Sequence, residues 1–198
     1  MHKITNTAIT ACLLSTFAMA GGDIDPQEPQ IAIPEMMEEP IVDQYFYAGL
    51  GYSYMKMEND TLSKKITGNA ITALAGYKFH ENVAAELRYS ATLGDLRANN
   101  TDNDWDMSNI ALYLKPQYAF EQATLYALLG YGQTTFDNGT SYSEDGFQWG
   151  LGGSYAATEE IELFVDYTRL YDGDGFDGFS STDDIFVDSI NLGVAYNF

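Results

Sequence analysis

Cysteine and histidine are nearly missing from this chain: Cys12 is the single cysteine and His2 and His80 the two histidines among 198 residues. One thiol cannot close an internal disulfide, and so few soft ligands cannot assemble a zinc site. Basic residues are scarce too, nine against 29 acidic ones, for a formal charge of −20. No basic patch exists to release counterions from phosphates, which excludes nucleic acid as a partner. Long apolar runs are absent. The longest, residues 8–17, falls short of the roughly 20 apolar residues that a helix needs to span a bilayer. Sustained helical periodicity is missing as well, so the chain reads as all-β. At 45% hydrophobic and 14% aromatic it is nonetheless too apolar for a disordered acidic polymer.

The N-terminal part is organised for export. His2 and Lys3 precede the apolar run, and Ala18-Met19-Ala20 offers small residues at a cleavage position, so residues 1–20 are expected to be a signal peptide. A rival is lipoprotein processing at Cys12, since Ile9-Thr10-Ala11-Cys12 is similar to a lipobox; cutting there would leave Leu13-Leu14 on the mature chain. Cleavage after Ala20 removes the only cysteine and, with Lys3 lost, takes the charge from −20 to −21. Residues 21–44 hold four of the five prolines (Pro26, Pro29, Pro34, Pro40) with Glu28, Glu35, Glu38 and Glu39, the composition of an extended spacer.

From Tyr45 the pattern changes to period-two alternation. Phe46, Ala48, Leu50, Tyr52 and Tyr54 share one parity against Tyr47, Gly49, Gly51 and Ser53. Similar runs follow around Ile71–Phe79, Val83–Leu93, Ile110–Tyr118, Leu125–Tyr131, Phe147–Tyr155, Ile161–Tyr167 and Ile190–Phe198. Short turns at His80-Glu81-Asn82, Phe120-Glu121-Gln122 and Thr158-Glu159-Glu160 alternate with long polar connections at 58–65, 94–104, 137–145 and 172–184. This predicts an eight-stranded antiparallel up-and-down β-barrel over residues 45–198, closed because open sheet edges are a liability.

Alternation leaves two architectures. A soluble barrel turns its large apolar residues inward, and a transmembrane barrel turns them out. Tyr, Leu, Phe, Ile and Trp on every strand would overfill an eight-stranded interior. The opposite parity is dominated by Gly, Ala, Ser, Thr and Asn, with just a few charges, where a wetted wall is dense in Lys and Glu. The apolar parity therefore faces lipid. Phe46, Tyr77, Phe79, Tyr118, Tyr155, Tyr196 and Phe198 form one aromatic belt near the short turns, and Tyr52, Tyr54, Tyr89, Tyr131, Phe147, Trp149 and Tyr167 a second one near the long connections.

On the inward parity stand Lys78, Arg88 and Lys115 with Glu86, Glu162 and Asp166. Their signs balance, and unpaired charge in a narrow low-dielectric lumen is costly, so a paired network is expected, with Arg88 joined to Glu86 or Asp166. Such a network either rigidifies the interior or gates an ion path. No catalytic set is found: His80, the sole histidine after cleavage, lies in a short turn, away from the long connections where a Ser/His/Asp triad would be sought. No cofactor is implied. Asp172, Asp174 and Asp177, spaced by glycines, are a calcium candidate, although the loop lacks the full EF-hand spacing and closing glutamate.

The stretches Gly76-Tyr77-Lys78-Phe79, Leu125-Tyr126-Ala127-Leu128-Leu129-Gly130 and Trp149-Gly150-Leu151-Gly152, with the closing strand, resemble the small outer-membrane β-barrel family that includes the OmpA membrane domain, OmpX and the opacity-like proteins. The resemblance covers residues 45–198. It implies location in the outer membrane of a Gram-negative bacterium, contact with outer-membrane lipid and lipopolysaccharide, and a C-terminal assembly signal for the barrel assembly machinery matched by Asn191, Gly193, Tyr196 and Phe198. It implies a structural or surface-interaction role with acidic extracellular loops and an unidentified extracellular ligand, or alternatively a small pore for ions or solutes.

Overall fold

The computed structural model describes residues 44–59, 64–98, 101–174 and 184–198. The expected signal peptide, its Cys12 rival and nearly all of the spacer lie outside them. Every regular element described is a β-strand: β1 (Tyr45–Asn59), β2 (Lys64–His80), β3 (Val83–Thr92), β4 (Leu96–Ala98), β5 (Thr101–Asn103), β6 (Asp106–Phe120), β7 (Ala123–Asp137), β8 (Ser141–Ala156), β9 (Ile161–Asp174) and β10 (Asp184–Asn197). Eight of these are long and all pairings are antiparallel. β1 pairs with β2 through Tyr52↔Ile71 and with β10 through Tyr52↔Leu192, which closes the sheet into a barrel.

Three tight connections lie at one end. Asn82 donates its backbone N–H to His80 Nδ1 at 3.2 Å, so the histidine serves the turn. Glu121 takes a positive φ of 56°, and the Thr158 hydroxyl accepts from Ile161 N at 2.9 Å. At this end Phe198 N bonds Phe46 O at 2.8 Å, tying the last residue to the start of β1.

The large apolar residues point outward in the middle of every long strand. Leu50, Leu112 and Leu192 are each 62% exposed, and Leu151 60%. A continuous apolar wall of this kind is stable only when its solvent is hydrocarbon. Ring pairs flank it: Phe46 with Tyr77 at 4.5 Å and Tyr196 with Phe198 at 5.0 Å near the short turns, Trp149 with Tyr167 at 5.8 Å towards the far end.

The far end departs from the expected long loops. β7 and β8 stay paired up to Asp137↔Ser141, leaving 138–140 as the turn, and 94–104 contains the β4–β5 hairpin, which adds to β2 through Ile66↔Ala98. In these segments the outward positions turn polar, so an apolar alternation cannot reveal them as strands. Here the sheet remains continuous through β6, β3 and β2, but β8 and β9 pair no further than Trp149↔Arg169. Inside this end lies an apolar core of Met107 and Phe136 from β6 and β7 against Met55, Met57, Leu96, Leu170, Ile185 and Val187 from β1, β4, β9 and β10. Trp105 packs its ring edge-on to Phe136 at 5.8 Å.

Candidate functional site

Below that core the lumen is layered, because the inward parity of each strand changes character along its length. In β1 it runs Tyr47, Gly49, Gly51, Ser53, Met55, Met57 from the short-turn end upward. The middle layer is a chain of hydroxyls, Ser53 to Thr72 at 2.6 Å and Thr72 to Ser90 at 2.7 Å. The lowest layer is charged. Arg88 Nε donates to Glu86 Oε1 at 2.5 Å, while its Nη1 and Nη2 form a bidentate pair with Asp166 at 2.9 Å each. Lys115 Nζ donates to Glu86 Oε2 at 3.2 Å and lies 4.2 Å from the centroid of the Tyr126 ring. The Asn191 amide donates to Asp166 Oδ1 at 2.7 Å. Glu86, Arg88, Lys115 and Asp166 are all buried, two cations against two anions.

One device recurs around this layer. Tyr47 of β1 lies across Gly76 of β2, and its hydroxyl donates to Glu86 of β3 at 2.7 Å. Tyr126 of β7 crosses Gly152 of β8 to donate to Asp166 of β9 at 2.7 Å. Tyr113 of β6 crosses Gly130 of β7 to donate to Gln148 of β8 at 2.5 Å. Each glycine makes room for the ring: a Cβ would stand 2.2 Å from Tyr47 Cζ at Gly76, 2.7 Å from Tyr126 Cε2 at Gly152 and 2.6 Å from Tyr113 Cδ1 at Gly130. The barrel is thus cross-braced over three strands at a time, with a buried hydrogen bond at the end of each brace.

Of the six charged residues expected together, the structure joins Glu86, Arg88, Lys115 and Asp166, and Arg88 engages both expected partners. Lys78 and Glu162 form no ion pair with these four among the described residues. Lys78 sits half-buried towards the short-turn end with its ammonium 5.1 Å from the Tyr45 ring centroid. Glu162 accepts from the Ser154 hydroxyl. Both positions lie in the mouth of the barrel rather than in the dry layer, so neither requires a buried counter-charge. Sequence reasoning missed Tyr47, Tyr126 and Asn191 as members of the network; the signal was an inward tyrosine and an inward glycine on adjacent strands, readable only once register is known. It also missed an outward cluster above the upper aromatics, where Asp188 accepts from the Tyr167 hydroxyl at 2.6 Å and Arg169 Nε at 2.9 Å.

Of the calcium candidate only the Asp172 side chain is described. Asp172 is paired with Arg169 at 2.8 Å. Asp177 and the Asp174 side chain lie outside the described residues, among which no group of three potential metal ligands occurs. The four residues expected to form an assembly signal divide by face: Asn191 is buried in the charged layer and Phe198 is 74% exposed beside Tyr196. A Cβ at Gly193 would stand 2.5 Å from Phe164 Cζ, so packing alone demands glycine there.

Residues 38–198 match the family defined as the outer membrane protein beta-barrel domain. The chain belongs to that family. As an outer-membrane barrel it resides in the outer membrane of a Gram-negative bacterium, its apolar wall in contact with lipid. Its fold is similar to that of Neisserial surface protein A (TM-score 0.59, 18% identity, 77% of this chain and 97% of that one). It is similar also to Ail of Yersinia pestis (0.53, 18%, 78% and 99%) and to OprG of Pseudomonas aeruginosa (0.51, 14%, 78% and 95%). No curated protein sequence matches the chain.

The outer-membrane barrel's bracing gives a direct expectation. Gly152→Val forces Tyr126 off Asp166 and overpacks the wall, costing about 3 kcal/mol. Gly146→Leu, at an inward position where a Cβ meets nothing within 4 Å, leaves stability within about 0.5 kcal/mol. Urea titration of both variants folded in lipid vesicles checks the contrast.

Proposed function

We propose that this barrel is a closed, non-enzymatic surface-interaction protein, with its far end outside the cell and the spacer of residues 21–44 in the periplasm. The observation that carries the reading is the sealed lumen: a neutral ion-paired layer below, hydrogen-bonded hydroxyls in the middle and an apolar core above. A permeating ion would have to break buried charge pairs and then cross a packed apolar region, each step costing several kcal/mol. What remains for function is the surface of the far end. Asp102, Asp104, Asp106, Asp137, Glu144 and Asp145 lie there, giving it an acidic character that favours cationic partners. The structure of Ail was determined in complex with the heparin analogue sucrose octasulfate, a polyanion.

The second reading is a small conducting pore. Purified protein in planar bilayers is expected to show no discrete conductance steps. Reproducible single-channel openings would establish the pore and overturn the closed-barrel reading.

We also propose that Asn191, Gly193, Tyr196 and Phe198 serve as the signal read by the barrel assembly machinery. The exposed Phe198 ring and its backbone bond to Phe46 place it at the seam where the sheet closes. Deleting Phe198 is expected to lower outer-membrane yield several-fold while leaving refolding of the purified chain in detergent intact. Normal yield in cells would contradict the assignment.

A further inference from the structure

A cleft opens in the outer wall of the far end, where the β4–β5 hairpin meets β2. β3 stays paired with β2 up to Ala70↔Thr92, and β4 takes over at Thr67↔Arg97. Between these contacts Leu93 N donates to Asn69 O at 2.7 Å, and the chain turns through Gly94 with a φ of 72°. The cleft left beside β2 holds about 370 Å³ and is lined by Tyr54, Thr67, Asn69, Asp95, Arg97 and Asp102. Its volume lies at the lower end of the roughly 300–1,000 Å³ of small-molecule sites.

Two features make this cleft a preformed site. The hairpin that walls it is anchored: Leu96 is fully buried in the apolar core, and a Cβ at Gly68 would stand 2.3 Å from Leu96 Cδ2, so the leucine is seated over that glycine. Across the hairpin Arg97 Nε donates to Asp102 Oδ1 at 2.9 Å. The second feature is that polar groups facing the cleft are unengaged. Among the described residues the Tyr54 hydroxyl, the Asn69 amide and the Asp95 carboxylate have no hydrogen-bond partner, although all three line the same space.

We propose that this cleft binds the sugar headgroup of a membrane glycolipid. The chemistry of the lining selects the headgroup. Asn69 and Tyr54 can each donate and accept, whereas Asp95 accepts only. An anionic headgroup would meet two carboxylates, with the one guanidinium of the lining already held by Asp102. An ammonium only donates and would leave the Asn69 amide hydrogens unanswered. Sugar hydroxyls both donate and accept, and the C–H face of a pyranose suits the π-face of Tyr54. Position selects the carrier. Tyr54 pairs with Asn69, and the next outward pair below, Tyr52 with Ile71, is exposed on the apolar wall together with Leu93. A headgroup seated in the cleft therefore has hydrocarbon-facing wall beneath it for its acyl chains. The inference rests on the surface-interaction reading, with the far end outside the cell, and names a ligand class for that end.

Amide NMR shifts of the full-length protein in phosphatidylcholine nanodiscs test it, with dimyristoylglycerol bearing a single glucose as probe. Phosphatidylglycerol and phosphatidylethanolamine with the same acyl chains are the controls. Saturable shifts at residues 67–69 and 95–97 are expected with the glucosyl lipid and with neither control. Asn69→Ala and Asp95→Ala, exposed substitutions that keep the heat-shifted gel mobility of the folded barrel, are each expected to weaken binding about fivefold or more. Absence of shifts at these residues, equal shifts with either control or undiminished binding by either variant would overturn the proposal. Methyl glucoside binding as tightly as the glucosyl lipid would also overturn it, assigning the cleft to a soluble glycan. Failure here leaves the closed lumen standing, because conductance reports on that separately.

Discussion

A guanidinium buried inside a narrow barrel must be matched, and much of this structure follows from how Arg88 is matched. Its fork is filled by Asp166 from the opposite side of the lumen, and its Nε by Glu86 on its own strand. The two carboxylates then need further donors, since each has lone pairs that the arginine does not reach. Lys115 and Tyr47 supply Glu86; Tyr126 and Asn191 supply Asp166. The tyrosines can arrive only by lying across a neighbouring strand, and that requires Gly76 and Gly152 beneath them. Inward glycines that look like mere space-savers are in this way set by electrostatics three strands wide.

The same layer separates the two halves of the molecule. Towards the short turns the wall is a regular closed barrel whose outer surface is dictated by lipid. Above the hydroxyl layer the strands no longer need to close, because water can satisfy backbone groups that hydrocarbon cannot. There the β8–β9 pairing stops and the wall packs over Met55, Met57, Met107 and Phe136. That pairing ends at Trp149↔Arg169, at the level where this apolar core begins.

Much of this was legible in the sequence, for a physical reason. Lipid imposes a strict period of two, so the parity of Phe46, Leu50 and Tyr52 against Tyr47, Gly49 and Gly51 was enough to assign strands, faces and closure. The balance of inward charges pointed to a paired network, and Arg88, Glu86 and Asp166 are together. Where lipid ends the signal ends: in 137–145 and the β4–β5 hairpin the outward positions turn polar and the apolar alternation stops, and there the sequence reads as loop, although Leu96 and Tyr142 pack inward. Lys78 and Glu162 shared the parity of the network but not its depth, and depth depends on strand stagger, which alternation does not encode. The Tyr–Gly–acceptor braces escaped for the same reason, since each needs the register of three strands at once.

A double-mutant cycle between Arg88→Met and Asp166→Asn tests the keystone role of the buried pair most directly. Unfolding free energies are measured by urea titration in lipid vesicles for the parent, both single variants and the double variant. The buried bidentate pair predicts a coupling energy of about 2 kcal/mol or more, with the double variant more stable than the sum of the single losses implies. Losses that add to within about 0.5 kcal/mol would contradict it and leave the network a bystander in an otherwise self-sufficient barrel.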